Sequence, residues 1–181
     1  FNGTTLTLLT TGMTTDTPSH ISVHKNHLFL SFSGGSVQHS GTGDPTSWTL
    51  VTGAGEISIG SEVTGLNSMQ GNSLAITGIK QISVLYGTAA SNWDLKSYSP
   101  AIGAISKTHA QMDSDLYYFN GDDISNLTAT QAFGDFESAS VSALVKPYMD
   151  ARKTLTVGAT VNKDKNQYRL FFSDKTALIA T

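Results

Sequence analysis

The chain has 181 residues, a formal net charge of −3, 39% apolar and 14% charged residues, and no cysteine. That excludes a disordered tail, a disulfide scaffold and a thiolate metal site, and it fits one sizeable domain with a real core. No apolar run approaches the roughly 18 residues of a membrane span and no basic-then-apolar leader opens the sequence, so the expectation is a soluble chain.

The first residues, "FNGTTLTLL", already alternate like a strand, and the last, "TALIAT", form a strand-like run with no closing turn. The chain is therefore expected to be a fragment of a longer polypeptide. Between these ends the same phrase recurs four times, as "ISVHKNHLFLSFSGGSVQHS" (21–40), "LNSMQGNSLAITGIKQISVLYG" (66–87), "THAQMDSDLYYFNGDDISNLT" (108–128) and "TVGATVNKDKNQYRLFFSDKTALIA" (156–180). Each phrase is an alternating strand, a polar turn with Asn, Asp or Gly, a strand of apolar and aromatic residues, another polar turn and a third short strand. The anchors Leu28, Leu74, Leu116 and Tyr168 or Leu170 are spaced by 46, 42 and about 53 residues. Short antiparallel sheets repeating every 40–50 residues are the signature of propeller blades, which bury their faces only by stacking on neighbours. The expected fold is all-β and β-propeller-like, with about four meander blades in a single domain, 1–181.

The linkers each hold one tryptophan. "SGTGDPTSWTLV" starts a turn at Asp44-Pro45 and reaches Trp48 at the head of "WTLV", a fourth-strand candidate, and "GTAASNWDLKSYS" carries Trp93. Trp48 and Trp93 lie 20 and 19 residues past Leu28 and Leu74, which predicts buried packing residues at equivalent blade positions. The one stretch without strand alternation lies in 135–155, and a short broken helix is expected near 138–152, interrupted by Pro147. Charge is uneven: residues 1–145 carry four Lys/Arg against eleven Asp/Glu, a balance of −7, whereas 146–181 carry seven against three, a balance of +4. Solvated charges around the turn Lys163, Asp164, Lys165 account for part of that excess.

Residues that could carry chemistry fall mostly into turns. His20 and His24 share a face of one strand while His27 is placed opposite, beyond a turn at "KNH", so no metal site is expected. Asp113 with Asp115, and Asp122 with Asp123, sit in hairpin-like connections where carboxylates bond their own backbone. None of the nucleophile-elbow, zincin, phosphate-loop or dinucleotide motifs occurs. No catalytic, cofactor-binding or metal residue is assigned.

Two resemblances bear on function. "SGTGDPTSW" is loosely similar to the Ser-x-Asp-x-Gly-x-x-Trp box of sialidase-type propellers, but Asp44 follows Ser40 by four residues and Pro45 takes the glycine place, so the loop reads as a corner. "HKNHLFLSF" with "GDPTSW", "ITGIKQISVLYG", "DLYYFNGDDISNL" and "VNKDKNQYRLFF" together resemble the propeller portion of bacteriophage tail proteins, the nozzle or tubular subunits of short-tailed phages, over most of residues 20–172. The resemblance implies a non-enzymatic virion structural protein, assembled in the host cytoplasm. It would sit as a homo-oligomeric ring against other tail or portal/adaptor subunits, close to packaged DNA, with no cofactor. With about four modules, a closed propeller would need further blades or a partner chain. The alternative is a carbohydrate-binding or glycosidase-like propeller, whose recruits would be Tyr98, Tyr117, Tyr118 and Asp122.

Overall fold

The structure, a computed structural model, describes residues 3–6, 8–12, 17–129 and 136–181. Its strands form four antiparallel sheets, each a meander of consecutive strands. Sheet 1 holds β1 (His20–His24), β2 (His27–Ser31), β3 (Ser36–His39) and β4 (Gly55–Ser58). Sheet 2 holds β5 (Val63–Met69), β6 (Ser73–Gly78), β7 (Ile82–Tyr86) and β8 (Asp94–Ser99). Sheet 3 holds β9 (Ala110–Met112), β10 (Asp115–Phe119), β11 (Ile124–Ala129) and β12 (Phe136–Ser140), and sheet 4 holds β13 (Thr156–Asn162), β14 (Gln167–Phe172) and β15 (Ala177–Ala180). This is the expected propeller-like architecture.

Local chemistry sets the hairpins. His24 pairs with His27 across a two-residue turn in which Lys25 and Asn26 both take positive φ, 47° and 61°, the geometry that matches the twist of the flanking strands. The anchors prove to be the second residues of β2, β6, β10 and β14, so the repeat seen in sequence is a repeat of strand position.

Three apolar clusters cement the stack in chain order. Phe29 and Val37 of sheet 1 meet Leu66, Leu74, Ile76 and Leu85 of sheet 2. The other side of sheet 2, with Met69, Ala75, Ile82 and Val84, meets Leu116, Tyr118 and Leu127 of sheet 3. Phe119 and Ile124 then meet Tyr168, Leu170 and Phe172 of sheet 4. Each sheet thus has a leading face toward its predecessor and a trailing face toward its successor. The anchors Leu74, Leu116 and Tyr168 are leading-face residues with no exposed area. The Tyr168 hydroxyl, which burial keeps protonated, donates to the Thr108 carbonyl at 2.6 Å and ties sheet 4 to sheet 3.

Three local expectations need correction. The α-helix, Lys146–Asp150, lies within the stretch expected at 138–152, but Ser138–Ser140 belong to β12: strand pairing with β11 overrides their helical spacing. "WTLV" is not the fourth strand. Leu50–Thr52 form a 3-10 turn closed by Gly53 at φ 81°, and β4 begins only at Gly55. His27 is not opposite His20 and His24, because the two-residue turn puts it directly across from His24 on the same face.

Candidate functional site

The loop 40–48 is built as a corner. Ser40, fully buried, accepts the Leu28 amide on its Oγ at 3.0 Å and donates to the Gly41 carbonyl. Asp44 folds the exposed tip by accepting the backbone N–H and the hydroxyl of Thr46 at 2.8 and 2.6 Å. Those two bonds hold its carboxyl below the usual range and leave it engaged in its own turn. Trp48 donates its indole N–H to the Pro45 carbonyl at 3.0 Å and is only partly buried, short of the core place expected for it.

Behind the loop lies an aromatic box between sheets 1 and 2. Trp93 stacks edge-on against His39 at 4.2 Å and His27 at 4.8 Å, with Phe29 at 5.2 Å. The Ser40 carbonyl accepts from His27 Nδ1 at 2.6 Å and lies 3.2 Å from His39 Nδ1. His24, on the same face, bonds Ser68 at 2.7 Å. Burial above all lowers the pKa of His24 and of His39 to about 4, helped at His24 by Lys25 and His27 and opposed at His39 by its bond to the Ser40 carbonyl. These two imidazoles are neutral packing groups at pH 7, and among the described residues no three His, Asp or Glu are placed to hold a metal ion.

His20 belongs elsewhere, in a groove of about 300 Å³ between β1, β5 and the segment that leads into β9. The groove is lined by His20, Thr64, Gly65, Asn67, Lys107 and His109, among others, none acidic. His20 Nδ1 is 3.0 Å from Ser31 Oγ and its Nε2 3.3 Å from Ser106 Oγ. His109 Nε2 is 2.7 Å from Thr77 Oγ1. The ring fits because residue 65 is glycine: a Cβ there would stand 2.7 Å from His109 Nδ1. Burial, with His20 as the second cause, lowers the His109 pKa to about 4, and burial with Lys107 lowers that of His20. Two imidazoles held neutral beside one ammonium make a polar wall with hydrogen-bond donors for an electron-rich group. Sequence reasoning did not single out His109. The signal was a Ser-His or Thr-His pair, Ser19-His20 and Thr108-His109, heading the first and third modules.

The carbohydrate recruits are dispersed. Tyr118 is buried between sheets 2 and 3, with Tyr98 packed against the same cluster. Tyr117 stacks on Tyr168 at 5.8 Å, and Asp122 pairs with Lys153 at 3.1 Å in a turn. Asp113, at φ 54°, and Asp115 flank the β9–β10 hairpin.

Both flanks of the four described sheets present exposed apolar residues, although Leu30 and Gln38 on the leading face of sheet 1 are buried. On the leading face of sheet 1, Ile21 and Val23 are 68% and 66% exposed. On the trailing face of sheet 4, Val157, Phe171 and Ile179 are exposed around Arg169, which holds Gln167 at 2.8 Å.

No family model matches the chain and no curated protein matches it. Solved structures do. The computationally designed Ika4 protein superposes with a TM-score of 0.63 at 13% identity, over 97% of this chain and 98% of that one. Virginiamycin B lyase from Staphylococcus aureus superposes with 0.60 at 11% identity, over 99% of this chain and 60% of the lyase. Its catalytically inactive His-to-Ala variant with quinupristin gives 0.53 at 12% identity, over 89% and 54%. The chain thus spans 60% or less of these lyase chains. The likeness establishes the propeller-like fold.

Proposed function

We propose that this chain is a structural assembly module of a bacteriophage tail, of nozzle or tail-tube type, whose work is contact between proteins rather than chemistry. A propeller-like fold is shared by a designed protein and a lyase, so the fold carries no function by itself. The observation that carries the reading is the pair of apolar sheet faces at the two flanks of the stack, centred on Val23 and Phe171. A packed sheet face left open is an assembly surface, because isolated soluble chains avoid wide apolar patches and bare sheet flanks. The stacked sheets supply stiffness, and the exposed tips of the turns between strands, such as 43–46 and 163–166, supply variable contacts without cost to the core. Its partners are other tail or portal/adaptor subunits and further copies of itself in a ring, in a virion put together in the host cytoplasm. The +4 balance of residues 146–181 suits an acidic neighbour, whether a subunit or nearby packaged DNA.

The test is co-expression of the tagged chain with the products of the genes that flank its own. Stoichiometric capture of a portal, adaptor or tail polypeptide is the expected result, and capture of none of them overturns the reading.

A further inference from the structure

We propose that the groove between β1, β5 and the segment leading into β9 binds a phosphate group, free or as the monoester of a small molecule, through Lys107, Asn67 and His109. This site owes nothing to the flanks of the stack and stands or falls apart from the assembly role.

Charge selects the class of ligand. The groove, of about 300 Å³, has room for a small molecule, and its lining offers one ammonium, two imidazoles and an amide but no carboxylate. Its basic groups oppose one another: burial is the larger cause, but Lys107 also lowers the pKa of His20, and His20 that of His109. Lys107 takes part in none of the ion pairs among the described residues, which engage Lys96, Lys146, Arg152 and Lys153. A positive potential left unanswered inside a chain of net charge −3 favours an anion. The same ammonium, with no carboxylate beside it, turns metal cations away.

Two further donors await a partner. Asn67 Nδ2 is buried and has no hydrogen-bond partner, although buried polar groups are nearly always paired. Asn67 follows Gly65 by two residues and shares its face of β5, the face over which the His109 ring lies. The 2.7 Å bond to Thr77 Oγ1 occupies His109 Nε2. With the threonine hydroxyl donating in that bond, Nδ1 carries the ring proton, and it has no partner among the described residues. Glycine at 65 leaves it uncovered, since a Cβ there would stand 2.7 Å away. The backbone presenting these groups is pinned. Thr108, buried between Lys107 and His109, donates its hydroxyl to the Ile105 carbonyl at 2.6 Å and accepts the Phe119 amide at 3.2 Å, while the Lys107 carbonyl accepts the Ala159 amide at 2.8 Å. Little ordering is therefore left to oppose binding. A tetrahedral oxyanion offers acceptors in every direction and can meet donors arriving from β5 and from residues 107–109 together, whereas a planar carboxylate is best met near its own plane.

The experiment is a nuclear magnetic resonance titration of the isotope-labelled chain, residues 1–181, with inorganic phosphate, with glycerol phosphate as a small monoester and with acetate as a planar anion. Phosphate should shift the resonances of His20, Gly65, Asn67, Lys107 and His109 saturably, with a Kd of about 1 mM or below, and acetate should bind about ten-fold more weakly. Tighter binding of inorganic phosphate identifies the free ion as the ligand, and tighter binding of the monoester identifies a small phosphorylated molecule. Lys107→Gln and Asn67→Ala should each weaken phosphate binding about five-fold or more with an unchanged far-ultraviolet circular dichroism spectrum. Lys80→Gln, at an exposed lysine outside the groove, should bind as the wild type does. If Asn67→Ala disturbs the fold, Lys107→Gln decides, because that side chain is exposed. No saturable shift by about 50 mM phosphate, shifts scattered over surface lysines, acetate binding as tightly as phosphate, or a Lys107→Gln chain that binds as the wild type does overturns the phosphate site and leaves the assembly role standing.

Discussion

Acid should unfold this protein partly through one imidazole, and His109→Gln isolates it. His109 sits over Gly65 with Nε2 2.7 Å from Thr77 Oγ1, and its burial lowers its pKa from 6.5 to about 4. The folded-state pKa lies below the unfolded one, so the neutral ring contributes stability that is fully present above pH 6.5. That contribution is lost as the pH falls toward 4, where the unfolded chain binds a proton that the folded chain excludes. A depression of roughly two to three pH units corresponds to about 3 kcal/mol at about 1.36 kcal/mol per unit. Glutamine can still meet Thr77 but does not titrate. Urea unfolding of both proteins at about pH 7, 6, 5 and 4 should therefore show the stability difference, wild type minus variant, falling by about 3 kcal/mol across that range. His24, His39 and His20 are common to both proteins and cancel in that difference. A difference independent of pH, or one that grows in acid, would refute the claim that His109 is held neutral by its burial.

The other predictions concern the stack. Leu74→Ala, at a position with no exposed area, should cost about 3–4 kcal/mol in urea unfolding, whereas Leu28→Ala, at the equivalent, half-buried place in sheet 1, should cost about half as much or less in the dilute chain. Gly65→Ala drives a methyl into His109 and Thr77; it should cost over about 2 kcal/mol and shift the His109 ring resonances. Trp93→Phe leaves Trp48 as the single reporter, and its emission should move to shorter wavelength as concentration rises and the leading face is covered, with no shift if that face stays open. Association of the wild-type chain should weaken several-fold from about 50 to about 500 mM salt, and Arg169→Ala should flatten that dependence.

What the sequence determined by itself was the period. Thr, Val, Ile and aromatic runs alternating between Gly, Asn and Asp turns specify short antiparallel strands, and strands that short cannot bury their faces singly, so a repeat of roughly 45 residues specifies stacked sheets. The anchors were legible because each must be apolar wherever a preceding sheet covers it. Local signals failed where pairing outweighed them. Ser138–Ser140 joined β12 through hydrogen bonds to β11, and His27 moved to the face of His24 because a two-residue turn fixes register where periodicity alone leaves it free. Neither the groove at His20 and His109 nor the aromatic box could be read along the chain. His20 and His109 stand 89 positions apart, and only the stacking of sheets 1, 2 and 3 brings them to one groove. Trp93 likewise covers His27 and His39 only because sheet 2 packs on sheet 1, where the corner at Ser40 holds both rings. Among the four described sheets the same stacking decides that Leu74, covered by sheet 1, is core while Leu28, alike in sequence, is half-buried. Burial belongs to a position's neighbours, and the neighbours are assigned by the assembled stack.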